Sequence, residues 1–336
     1  MFKPNFTYNQ KIVDKLLKIN SIRDFIVNAP VVVEMEVTLK REALLKSAHH
    51  STAIEGNPLS LNQVDRLAKG IKIEGQKKAK QEVLNYLNVL NNMDSYIKDG
   101  KITKKTVLKL HDNITHYTLK YTYLEGQYRT EPVYVVNSNG DIVFTPPNAN
   151  HVPAEMENLL LWINNSSSKL NAVISAGIIH YELVRIHPFV DGNGRTARAL
   201  AALYLYMSRF DVDFTMDEYY DNNREAYYDA LNSVDQKTQD LTKWLEYFLE
   251  GFLTSIEEIK NKIMLFPPGE QKRIKLKAKD LKILEYIHLN GNITNSEVQK
   301  LLKLTRQGAY KKLRNLMDKD IIEKKGGSRS TYYILK

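Results

Sequence analysis

Residues 187–198 read HPFVDGNGRTAR and gather several groups of distinct chemical capacity into one short run. Gly192 and Gly194 let a backbone approach a ligand closely, and the free N–H groups of a first helical turn would point at it, which makes an anion site. Arg195 and Arg198 lie three apart, so both reach the same end of a helix. Guanidinium forks grip phosphate oxygens two at a time. Asp191 offers the hard carboxylate oxygen that suits Mg2+ held jointly with nucleotide phosphates. His187, with an ordinary pKa of about 6.5, is a credible base for a hydroxyl nucleophile. A histidine before proline, or an Asp-Gly-Asn-Gly turn, is commonplace taken singly. The joint string is far harder to obtain from a turn.

Helices must carry this loop, because NAVISAGIIHYELVRI and ARALAALYLYMSRF flank it. Upstream, KREALLKSAHHSTAIEGN reads as a helix closing at Gly56 and Asn57, with Pro58 forbidding continuation. SLNQVDRLAKGI follows with Ser60 as its cap, and the spans 79–98 and 103–119 carry apolar residues three and four apart. The pattern then changes: EPVYVV, NSNG and DIVFTPP read as strand, turn and strand. Helical patterns resume at VPAEMENLLLWINN and return in EAYYDALNSV and DLTKWLEYFLEGFLTSIEEIKNKI, and PPGEQKR at 267–273 is the best linker. The fold class is therefore mainly α with one short hairpin. Three regions result: an N-terminal helical region, 1–104, with a distinct helix at about 39–57; a core, 105–266; and a C-terminal module, 275–336.

The 187–198 string resembles the signature of the Fic family, HPFx(D/E)GNGRxxR, and matches it at His187, Pro188, Phe189, Asp191, Gly192, Asn193, Gly194, Arg195 and Arg198. The resemblance runs over roughly 105–250, and GQYR at 126–129, the hairpin and TPPNANHVP look like the family's approach to its active site. It implies a helical Fic fold with a β-hairpin flap, and transfer of AMP from Mg-ATP to a Ser, Thr or Tyr hydroxyl of a target protein. UMP or phosphocholine are other groups that the string alone does not exclude. By the resemblance, His187 deprotonates the target hydroxyl, Phe189 anchors the loop and Asp191 holds Mg2+ between the α- and β-phosphates. Gly192, Asn193 and Gly194 cradle phosphate oxygens, Arg195 neutralises the leaving pyrophosphate and Arg198 grips the γ-phosphate. Val143 and Phe144 are the flap residues nearest the ligand. Tyr227 and Tyr228 resemble the family's aromatic pair beside adenine; an aromatic pair on a helix is commonly core, and Tyr228 is the better placed for the base. Asp235 falls near a polar position that some relatives use.

STAIEGN at 51–57 resembles the family's inhibitory motif (S/T)xxxE(G/N) through Ser51, Glu55 and Gly56. Ser51 and Glu55 share a helix face, and a carboxylate at a helix C-terminus is disfavoured by the macrodipole unless an outside cation meets it. The family pattern supplies Arg198, and an Arg198 held by Glu55 cannot hold the γ-phosphate. The same glutamate could instead orient a water that removes AMP from modified targets.

Residues 279–336 pattern as three short helices, a strand, a glycine turn and a strand, which reads as a winged helix-turn-helix. Thr305 caps a third helix carrying Arg306, Gln307, Lys311, Lys312 and Arg314, and Lys324, Lys325 and Arg329 flank the wing. Residues 268–336 hold 17 Lys and Arg against 7 Asp and Glu, whereas the remainder of the +9 chain sums to −1. That asymmetry points to an anionic partner, DNA first; a protein contact or homodimer is the alternative. A rival reading of the whole is a DNA-binding regulator whose Fic domain senses rather than catalyses. The absence of cysteine among 336 residues excludes disulfides, thiolate metal sites and a cysteine nucleophile. With no apolar run of about 18 residues and no signal-peptide core, the expectation is a cytoplasmic protein without a membrane partner.

Overall fold

The computed structural model describes residues 2–29, 33–136, 139–210, 214–265, 278–327 and 330–336; the expected linker at 267–273, Arg329 and part of the NSNG turn lie outside them. The N-terminal periodicities fold as α1 (Gln10–Asn28), α2 (Val33–Ile54), α3 (Leu61–Ala68), α4 (Lys77–Asn91) and α5 (Lys104–Thr115). The short strands β1 (Val135–Val136) and β2 (Ile142–Phe144) follow, then α6 (Val152–Asn165), α7 (Ala172–Ile186), α8 (Asn193–Met207), α9 (Asp217–Asn222), α10 (Arg224–Asn232) and α11 (Thr242–Leu265). The residues group into two compact units, 1–24 with 43–260 and 25–42 with 261–336, so α1, α2 and α11 contribute to both.

In the first unit α7 is buried without a break from Val173 to Leu183, with Ser175, His180 and Glu182 among the buried residues, as in a central helix. It packs against α8, with α5 beside α8, α4 on α5, and α6 on the other flank of α7. Gly177 admits α11: a Cβ there would stand 3.0 Å from both Leu245 Cδ2 and Phe248 Cδ1. The close approach lets Trp244 Nε1 donate to the Gly177 carbonyl at 2.8 Å. The pattern expected over 79–98 divides, because Asn92 leaves the helical region at φ −127° and the buried Met93 and Tyr96 continue in a 3-10 turn. The pattern over 103–119 stops at Thr115, with Tyr117 at φ +56°.

Caps follow their residue types. Ser60 and Gln63 form a capping box on α3, and Thr103 and Thr106 form one on α5. The end of α2 closes through Gly56 N–H to Ala53 O at 2.9 Å and Asn57 N–H to Thr52 O at 3.1 Å. Gly56 sits at φ +88°, the left-handed position that glycine supplies. In the hairpin, Val135 pairs with Phe144 and Val136 with Ile142, antiparallel and with an irregular register.

In the second unit α12 (Ala278–Asn290), α13 (Asn295–Leu302) and α14 (Arg306–Asp318) precede the antiparallel strands β3 (Ile322–Lys325) and β4 (Tyr332–Leu335). Ile283, Leu284, Val298, Leu313, Ile322 and Tyr333 make its core, together with Val37 from the first half of α2. Thr305 caps α14 by accepting from the Gly308 N–H. Among the described residues no helix is long and apolar enough to cross a membrane.

Candidate active site

The helix α7 ends because His187 turns into the left-handed region, φ 50° and ψ 58°, while its N–H still reaches Leu183 O at 3.0 Å. That conformation costs a non-glycine residue roughly 1–2 kcal/mol, and Arg129 holds it in place. Buried to 3% exposure, Arg129 donates from Nε to His187 O at 2.7 Å and from Nη2 to Pro147 O at 2.6 Å. Its backbone N–H reaches Pro188 O at 2.9 Å. One side chain thus ties the foot of the hairpin to the histidine loop. The His187 ring lies 3.2 Å from Val184 O through Nδ1. A carbonyl only accepts, so Nδ1 carries the proton and Nε2 keeps its lone pair. Burial and the Arg129 charge push the His187 pKa below the ordinary imidazole range, against the Val184 bond and the Glu55 and Asp191 charges.

The floor of the loop is aromatic. Phe189 is fully buried and stacks on His111 with centroids 3.7 Å apart and planes 5° from parallel. His111 Nδ1 accepts the Gly126 N–H at 2.9 Å, so its Nε2–H donates to Asp191 O, also at 2.9 Å. Burial takes its pKa down to about 4, which keeps that arrangement neutral. Gly192 begins α8 at φ +79°, and a Cβ there would lie 2.7 Å from Thr115 Cγ2. The Asn193 side chain, expected to cradle phosphate, instead closes the loop: Oδ1 accepts from Phe189 N–H and Nδ2 donates to Phe189 O, each at 2.9 Å. Only its backbone N–H is left to face a ligand.

Above the floor stand the charges. The Asp191 side chain is 50% exposed, with Oδ1 accepting from Gly192 N–H at 2.5 Å and lying 3.6 Å from Arg195 Nη2. Arg195 is 2% exposed, yet its Nε and Nη1 have no hydrogen-bond partner among the described residues, Glu82 standing 3.5 Å from Nη1. A buried guanidinium with unmet N–H groups is poised for an anion. Arg198 is fully engaged. Its Nε donates to Ser51 Oγ and its Nη2 to both Ser51 O and Glu55 Oε1, all at 2.8 Å. Asp217 Oδ1 lies 3.2 Å from Nε. Burial alone would lower the Arg198 pKa, but Glu55, Tyr227 and Asp217 hold it above the ordinary value. A Cβ at Gly194 would meet Glu55 Oε1, so the glycine lets the carboxylate come this close.

Other expected positions divide. Tyr228 is 44% exposed, while Tyr227 is buried, bonds His180 Nε2 at 2.8 Å and stacks on Tyr220. Tyr227 is therefore core rather than a base-stacking ring. Asp235 lies beyond α10 and caps a turn through the Lys237 and Thr238 N–H groups. On β2, Val143 is exposed and Phe144 half-buried. On α14, Arg306, Gln307, Lys311 and Arg314 are exposed. Lys312 is not part of that face, because its Nζ pairs with the buried Asp280 at 2.8 Å. His111, Arg129 and Asp217 were given no role from sequence. Arg129 is the last residue of GQYR, whereas His111 and Asp217 carry no signal beyond ordinary helical positions.

Residues 101–205 match the model of the Fic/DOC family, a span that contains the loop, the flap and the α7–α8 pair. Residues 101–205 therefore carry a Fic/DOC domain. Residues 276–323 match the model of winged helix-turn-helix DNA-binding domains. Protein adenylyltransferase fic-1 from Caenorhabditis elegans is 30% identical over 225 residues, covering 65% of this chain and 42% of that protein. Protein adenylyltransferase Fic from Drosophila melanogaster is 34% identical over 170 residues, 48% of this chain and 32% of its own. The chain thus spans less than half the length of the curated relatives it matches. Among solved structures, a Fic family protein from Desulfovibrio desulfuricans G20 has the same fold, with a TM-score of 0.69 at 24% identity over 100% of this chain and 98% of that one. Fic-1 of C. elegans gives 0.64 at 25% identity over 76% and 73%.

Proposed function

We propose that this chain transfers AMP from Mg-ATP to a Ser, Thr or Tyr hydroxyl of a target protein, and that Glu55 brakes the reaction by occupying Arg198. The observation that carries the reading is the pairing, on one loop, of a histidine whose Nε2 lone pair is free with a buried arginine whose N–H groups are unmet. The names of its curated relatives, protein adenylyltransferases, support the same reaction.

In this mechanism His187 Nε2 takes the proton of the target hydroxyl as its oxygen bonds to the α-phosphorus. The bond from that phosphorus to the bridging oxygen breaks, and pyrophosphate leaves. Arg195, already buried with its Nε and Nη1 hydrogen bonds unmet, meets the charge that develops on it. Such positioning and charge stabilisation is how phosphorus transfer is generally accelerated. Asp191 fits a magnesium ligand: its carboxylate is half exposed at the loop mouth, with Oδ1 fixed by Gly192. Mg2+ held there would neutralise phosphate charge. Arg198 would take the γ-phosphate once released by Glu55. The exposed edge of the hairpin offers backbone groups to an extended target segment.

Labelled bands in a lysate incubated with the chain, Mg2+ and α-labelled ATP would support the reading; bands that persist with His187→Ala would sink it. The pH profile has a defined sign. Because the His187 pKa lies below about 6.5, the base stays deprotonated through neutral pH and is lost only as pH falls further. Transfer should be flat from about pH 8 to 6.5 and decline below that; an acid limb centred above pH 7 would contradict the assignment.

A second reading concerns the C-terminal unit alone. Arg306, Lys311 and Arg314 form an exposed basic stripe on the helix that would enter a DNA groove. If they meet phosphates, the triple alanine variant should bind DNA more weakly and with a salt slope shallower by about 3. Equal slopes in gel shifts at graded salt would leave the unit a protein-contact module.

A further inference from the structure

We propose that His49, His50 and Asp221 form a site for one divalent transition-metal ion that pins the end of α2 to α9. Neighbouring residues on a helix point about 100° apart, so adjacent histidines ordinarily face different ways. Here the two rings converge, their centroids 4.6 Å apart. Asp221 reaches them from α9, and the three ligand atoms lie within 4.8 Å of one another, the one such group of His, Asp and Glu among the described residues.

The state of each ligand favours a metal. His49 Nδ1 is buried without a hydrogen-bond partner, as the lone-pair nitrogen of a metal-ligating imidazole must be before the ion binds. Asp221 is oriented as well: Oδ1 is held by Arg224 Nε at 2.7 Å and Nη2 at 2.5 Å, which leaves Oδ2 to face His50 Nδ1 at 2.7 Å. An ion would replace the proton shared by that pair and spread the two atoms to about 3.3 Å, the edge of a zinc-sized tetrahedron. Two imidazoles with one carboxylate select Zn2+, Co2+ or Ni2+ over Mg2+ and Ca2+, which prefer oxygen alone. Glu218 Oε1, 3.8 Å from His50 Nε2, stands outside the trio and is held by Lys46 at 2.7 Å.

The location gives the site a consequence. Both elements it joins grip Arg198: α2 through Ser51 and Glu55 just beyond the histidines, and α9 through Asp217, which also accepts from Ser47 Oγ at 2.5 Å. A bound ion therefore favours the braked state and slows AMP transfer. This consequence rests on the inhibitory reading of Glu55, whereas the site itself does not.

The test uses the full chain freed of metal by a chelator and titrated calorimetrically with Zn2+ or Co2+. Wild type should bind one ion per chain at this site, with the visible absorption of tetrahedral Co2+. His49→Ala and Asp221→Asn should each weaken binding at least tenfold, His49→Gln providing a less disruptive check with thermal melts confirming its fold. Asp191→Ala should leave the titration unchanged, which separates this site from the magnesium ligand. No stoichiometric binding, or equal binding by wild type and folded His49 variants, overturns the proposal. Zn2+ should also slow AMP transfer by wild type and spare His49→Gln; binding with no change in rate overturns the link to the brake and leaves the metal site standing.

Discussion

Glu55→Gly is expected to raise the rate of AMP transfer about tenfold to a hundredfold. Glu55 takes one of the N–H groups of Arg198 in a charge-assisted bond of 2.8 Å and lies so close to Gly194 that no Cβ fits between them. Hydrogen bonds to charged groups are worth about 1.5–3 kcal/mol, and each 1.4 kcal/mol is a factor of ten. Removing the carboxylate leaves Arg198 with Ser51 and Asp217, so its orientation survives while the competitor for the γ-phosphate is gone. Initial rates with α-labelled ATP measure the change. Equal rates for wild type and Glu55→Gly would remove the brake from the account.

His187→Ala acts in the opposite direction and more strongly. General base catalysis contributes about a hundred- to ten-thousandfold, and the buried His111 and His180 do not replace it, because they already bond Asp191 O with Gly126 N–H and Tyr227 Oη respectively. Transfer should fall by at least a hundredfold in a Glu55→Gly background. Nucleotide affinity should change little, since the phosphate contacts assigned here belong to Arg195, Arg198 and the α8 N-terminus. A variant with weakened ATP binding and an unaltered rate at saturation would place His187 in binding rather than in proton transfer.

The loop was legible in the sequence because its acting groups are contiguous. A turn that carries a base, a carboxylate and two arginines within one run needs no tertiary information to be noticed. The winged unit was legible for a similar reason: Thr305 and the apolar spacing of its short helices are local signals. What sequence could not reveal depends on partners far apart along the chain. His111 reads as a lone histidine on a helix until Phe189 is laid against it at 3.7 Å. Asp217 reads as a helix-start acid, yet folding sets it 3.2 Å from Arg198. Lys312 matched a basic recognition face, and only the buried Asp280 shows its charge to be spent within the unit. Tyr227 and Tyr228 are adjacent, and only packing tells which ring is core. Local chemistry was readable; which charges are already neutralised was not.

The most direct measurement is mass spectrometry of protein incubated with Mg-ATP and Glu55→Gly chain, set beside the Glu55→Gly/His187→Ala double variant. Hydroxyl side chains should bear a whole AMP in the first reaction and none in the second. Phosphate in place of AMP, or AMP attached equally by the double variant, would contradict it.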